Sequence, residues 1–221
     1  MGTVKLFRDE MKVFLAQNLF RFEEIELNEL QTKNLLSTKI SDNLNLDYVD
    51  TLVVTNVIKT LDYLETQDLK KISIDHNLFI KLNSLLAENQ ALEVGKYRDK
   101  ICYIGCVSEP IEPAPKDLIS ENLYKLEHLV SDSFKKVTAS VFCSLARAQP
   151  FFDGNKRSAL FLCNVALMKK NLGSFTISND QYKVFEDLLK NYYVKNDLSV
   201  VDFLSKNCFH NENINKFKLR R

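Results

Sequence analysis

The chain has 221 residues, enough for one well-filled core or one domain with an appended helical segment. Its 30 lysines and arginines stand against 29 acids, so no excess of positive charge points to nucleic acid or to an anionic membrane surface. Charges interrupt the N-terminus where a signal peptide would be apolar, and no run approaches the roughly 18 apolar residues of a membrane span, so the expected location is cytoplasmic.

Glycine and proline are scarce, and most of the chain reads as helix. Phe14, Leu15, Leu19 and Phe22 fall on one stripe. Leu52, Val53, Asn56, Val57, Thr60, Leu61 and Leu64 fall on another. Asp75-His76-Asn77 opens a third helix, carried on by Leu78, Phe79 or Ile80, Leu82, Leu85 and Leu86. Gly95, Gly105, Pro110, Pro113 and Pro115 then gather in one window. Within it Ile101-Cys-Tyr-Ile104 favours β structure and reads as one arm of a small hairpin. Leu123, Leu126, Leu129 and Val130, then Val137, Val141 and Leu145, resume the helical pattern. The expected organisation is a helical segment over 1–68, a core domain over 69–205 and a tail over 206–221. The expected fold class is all-α with one small β-hairpin. Cysteines 102, 106, 143, 163 and 208 are scattered without a nearby histidine, and are expected to be reduced thiols rather than zinc ligands.

The chemistry gathers in Ala148-Gln-Pro-Phe-Phe-Asp-Gly-Asn-Lys-Arg157. Pro150 disfavours helix at Gln149, so the preceding helix should end there. Asp153-Gly154-Asn155 is a turn, and from Lys156 the helical spacing of Leu160, Val165, Leu167 and Met168 runs to a cationic end at Lys169-Lys170 with Gly173 as cap. Gly154, Asn155, Lys156 and Arg157 therefore lie at a helix N-terminus, where free N–H groups and the dipole favour an anion. Arg157 can fork onto a phosphate, Lys156 adds a point charge, and Asp153 can give one oxygen to Mg²⁺. An ordinary turn followed by two solvated bases has the same letters, and spacing alone leaves both readings open.

The stretch resembles the signature of the Fic/Doc (Fido) family, H-P-F-x-[D/E]-G-N-[G/K]-R-x-x-R. It matches at Phe151, Asp153, Gly154, Asn155, Lys156 and Arg157. Gly95-Lys-Tyr-Arg98 and the Pro-rich stretch beyond it look like the family's G-x-[YF]-R segment and flap. The resemblance covers roughly residues 70–205. It implies a mainly helical fold and transfer of AMP from ATP, with Mg²⁺, to a hydroxyl of a target protein. The target would pair along a flap containing Ile101, Tyr103 and Ile104. Doc-type members with lysine in the glycine position, here Lys156, transfer the γ-phosphate instead. A nucleotide, a target protein and a regulatory antitoxin-like protein are the partners the resemblance implies.

Two departures bear on activity. Gln149 stands where the family has the histidine that takes the hydroxyl proton, and an amide has no useful basicity near neutral pH; losing a general base costs about 10²–10⁴-fold. Leu160 replaces the distal arginine that helps grip the γ-phosphate. The expectation is a weak or unconventional transferase, with a Doc-like kinase and a non-catalytic nucleotide- or partner-binding protein as the other readings. Many relatives restrain themselves through a helix bearing [S/T]-x-x-x-E-[G/N]. Ser84–Asn89 matches those letters but lies close to Gly95. Ser37–Asn43, with Ser41 in the glutamate's place, is the favoured counterpart.

Overall fold

The computed structural model describes residues 9–41, 44–105 and 107–210. Its axis is α7 (Asn155–Lys169), whose sequence from Ser158 to Met168 is apolar or small but for Asn164. All its residues but Lys156 and Lys169 are buried, as expected of a helix surrounded by others. Around it pack α1 (Asp9–Arg21), α4 (His76–Leu86), α5 (Lys116–Glu127) and α6 (Phe134–Ala148). α3 (Tyr48–Glu65) lies against α1 and α4, and α2 (Glu29–Thr38) against α1. α8 (Asn179–Lys195) and α9 (Ser199–Asn207) close the far side over α6. One continuous apolar core runs from Leu15 to Cys208, so the N-terminal segment shares the core of the rest.

Local chemistry explains the boundaries. Asp47 and Asp75 accept from Asp50 N and Leu78 N, satisfying free donors at the starts of α3 and α4. α2 begins with a reciprocal Asn28–Gln31 capping box. The apolar pattern around 123–145 is not one helix: it breaks after Glu127 and resumes at Phe134. α7 ends in a Schellman turn, with Leu172 N donating to Leu167 O and Asn171 N to Met168 O. Its left-handed residue is Asn171 (φ 59°), not the expected Gly173, because asparagine tolerates that conformation.

The flap is present as a single antiparallel bridge, Cys102 to Ile111. A further two-stranded sheet, unforeseen in the sequence, pairs β1 (Ser174–Phe175) with β2 (Phe209–His210). The ordered fold thus continues past residue 205. On their other side the residues from Phe175 to Ile177 are paired by side chains. Asn164 exchanges two hydrogen bonds with the main chain of Phe175, and Asn18 does the same with Ile177. Each buried amide supplies one donor and one acceptor, as a neighbouring strand would. Cys143, Cys163 and Cys208 are buried free thiols and Cys102 is half-buried; Cys106 lies outside the described residues. Among the described residues no helix is long and apolar enough to cross a membrane.

Candidate active site

α6 ends at Ala148 and Gln149 caps it in the left-handed conformation (φ 47°, ψ 59°), turning the chain into the motif loop. The Gln149 amide faces inward. Its Nε2 donates to Ala146 O (2.6 Å), one of the free carbonyls at the helix end, and its Oε1 accepts from Asn155 Nδ2 (2.8 Å). Asn155 closes the loop further, donating to Phe151 O and accepting from Phe151 N. Phe151 is buried against Phe79 (4.8 Å) and Tyr97 (5.1 Å). The loop is pinned at its base by an aromatic cluster and across its mouth by an amide pair.

Gly154 starts α7 at φ 70°, and a Cβ there would sit 3.2 Å from Ala87 Cβ and 3.3 Å from Asn83 Nδ2, so both conformation and space call for glycine. No side chain caps α7; Asp153 Oδ1 accepts from Gly154 N (2.6 Å). Asn83, absent from the sequence reading, ties the site together. It donates to Asp153 O and Ser158 Oγ and accepts from Gly95 N. Its cue was weak, a lone asparagine on the apolar face of α4.

Arg157 is fully buried. Its Nη1 donates to Leu86 O (2.8 Å) and to Gln90 Oε1 (2.6 Å). Nε lies 2.8 Å from Glu23 Oε1 and Nη2 3.5 Å from Asp153 Oδ2, yet neither makes a well-aligned hydrogen bond. The fork expected to meet a phosphate thus faces protein carboxylates, with two N–H groups poorly directed. Lys156 Nζ lies 3.4 Å from Phe22 O and 5.4 Å from the centre of the Phe22 ring. Leu160, in the distal arginine's place, is fully buried in the core.

The acid at this site comes from neither stretch weighed in the sequence. Glu88 pairs with Lys59, and residues 42–43 lie outside the described residues. It is Glu23, at the end of α1, where Ile25 N donates to Phe20 O and Glu24 N to Arg21 O, with Glu24 left-handed (φ 61°). The sequence carried no signal for it, since the inhibitory pattern's Ser or Thr is Leu19 here and its Gly or Asn is Glu24. Burial pushes the Glu23 carboxyl above its ordinary value, against the lowering pull of Arg157 and Lys156 and with the help of Asp153.

Of the histidines, His76 bonds Tyr97 Oη and Ser120 Oγ, His128 bonds Tyr124 O, and His210 is exposed in β2. Ile101 and Tyr103 are exposed on the flap and Ile104 is half-buried. Among the described residues no cluster of three metal-ligating side chains occurs.

Residues 73–167 match the model of the Fic/DOC family. By that match the segment is similar to the Fic/DOC family. Over 183 residues the chain is 26% identical to a protein adenylyltransferase Fic of Nematostella vectensis, covering 78% of this chain and 42% of that protein's length. The fold agrees with a Fic domain containing signaling protein from Bacteroides thetaiotaomicron (TM-score 0.68, 19% identity, 90% of this chain and 83% of the other). It agrees equally with Fic-1 from C. elegans (TM-score 0.68, 18% identity, 93% and 63%). The matched segment includes the motif loop, the flap and α4 through most of α7.

Proposed function

We propose that this Fic domain is a nucleotidyl-transfer module of the adenylyltransferase type, restrained and slow in turnover. Support comes from the glycine-led start of α7, with Asn155, Lys156 and Arg157 on its first turn, and from the similarity to the Nematostella adenylyltransferase. The substrate would be ATP with Mg²⁺. Asp153 is partly exposed, and each of its oxygens has a lone pair beyond its Gly154 or Arg157 contact, which suits a cation held mainly by nucleotide phosphates. Such a cation would neutralise charge on those phosphates. The acceptor would be a hydroxyl of a protein segment docked along Ile101–Ile104.

The observation that carries the restrained reading is Gln149. It offers no basic atom, and both ends of its amide are engaged within the protein. Glu23 adds to this by occupying Arg157 from within the chain. Lys156 lies against Phe22, and transfer of the γ-phosphate through it is the competing outcome. Incubation with ATP labelled separately at the α- and γ-phosphates, with Mg²⁺ and a cell lysate, tests the proposal. Slow α-label on protein is expected. γ-Label would mean a kinase, and no label with nucleotide still bound would mean a non-catalytic binding module.

A further inference from the structure

Arg98 is only 4% exposed and has no carboxylate among its hydrogen-bond partners. A guanidinium has five N–H groups, and here each finds a main-chain carbonyl. Nε donates to Gln149 O. Nη1 donates to Lys100 O (2.6 Å) and Ile111 O (2.9 Å), and Nη2 to Glu112 O (2.6 Å) and Ala148 O (3.3 Å). Two of these carbonyls belong to the C-terminal end of α6, whose partial negative charge suits a buried cation. The other three belong to the two arms of the flap, Lys100 just before the Cys102–Ile111 bridge and Ile111 and Glu112 at and just after it. Arg98 N also donates to Pro150 O (2.9 Å).

We infer that Arg98 is a positioning residue that makes the flap and the motif loop one mechanical unit. It fixes the carbonyl of left-handed Gln149 and both roots of the flap to a single planar group. The flap cannot swing away from the protein without pulling on the residue at the head of the motif loop, and a segment docked on the flap acts on that loop through the same group. Only the meaning of this coupling, target edge to transfer loop, rests on the function proposed above; the clip itself is read without nucleotide or target.

Amide hydrogen exchange of the full chain tests it. In the unmutated protein under increasing, sub-denaturing urea, the amides of Cys102 and Ile111 in the flap and of Arg98 and Phe151 at the motif loop should open together, on one dependence. In Arg98→Lys, which keeps the charge but has three N–H groups and no plane, all four should exchange about tenfold or more faster. The amides of Phe175 and Ile177 on the far side should keep their rates. Separate opening of flap and loop in the unmutated protein would overturn the inference. So would an Arg98→Lys variant that frees the flap but leaves Phe151 unchanged, or one that accelerates Phe175 and Ile177 equally.

Discussion

Glu23 stands at the C-terminal end of α1, where helix carbonyls repel a carboxylate, and the next residue is held left-handed without being glycine. Both features cost stability, and Arg157 Nε, 2.8 Å from Glu23 Oε1, offsets part of the cost for the carboxylate. The raised carboxyl pKa has a definite sign for stability. The native state binds the Glu23 proton more tightly than the unfolded chain does. Its contribution is therefore full below the ordinary value of 4.5 and is lost as pH rises through the raised one. Urea unfolding of the unmutated protein and Glu23→Gln across that window should show the advantage of the unmutated chain shrinking as pH rises; a constant difference would mean the carboxyl is not shifted. Arg157 itself is a structural ion in this fold. Arg157→Ala removes two hydrogen bonds and leaves Glu23 and Asp153 facing each other, so unfolding free energy should drop by about 3 kcal/mol, read from the urea midpoint.

At the scale of elements, the loop between α6 and α7 is built from local rules. A proline ends one helix and a glycine starts the next, and both were visible in the letters Gln149-Pro150 and Asp153-Gly154. What the letters did not carry is the state of the loop: Gln149 turned inward and Arg157 engaged from α1, more than a hundred residues away. That geometry makes a prediction about rescue. Gln149→His alone supplies a base but leaves Arg157 against Glu23, so α-label transfer should stay low. With Glu23→Gln added, the rate should rise by up to the general-base factor of about 10²–10⁴. Initial rates of label incorporation measure it. A double variant that binds nucleotide but is no faster than the unmutated chain would place a further defect at Leu160 or in the geometry around it, and favour the non-catalytic reading. α3 and α4 were legible because full apolar stripes run through them behind an N-cap aspartate, and α7 because a glycine turn leads into a continuous apolar run. α2 and α8 were not, because each rests only a few residues on the core and is otherwise exposed.

Across the whole molecule, β1 and the residues after it are stitched to α7 and α1 by the side chains of Asn164 and Asn18, which serve as strand edges for Phe175 and Ile177. Asn164→Ala should leave a buried N–H and a buried carbonyl of Phe175 unpaired, costing about 3 kcal/mol in urea unfolding, with hydrogen exchange at Phe175 showing where the loss falls. A change within a few tenths of a kcal/mol would mean water satisfies both groups. The sequence by itself determined the helical class, the helix–loop–helix of the motif and the kind of residue at each motif position. Those depend on contacts within a few residues, on caps, turns and the period of apolar side chains. The tertiary structure alone decided that Glu23 meets Arg157, that Asn83 binds the motif loop to the Gly95 turn, and that Arg98 joins the flap to the end of α6. Each joins polar groups from distant parts of the chain: Glu23 with Arg157, Asn83 with Asp153, and Arg98 with Gln149. Its place is set by which distant donors and acceptors the packed helices leave unsatisfied, and no local pattern encodes that.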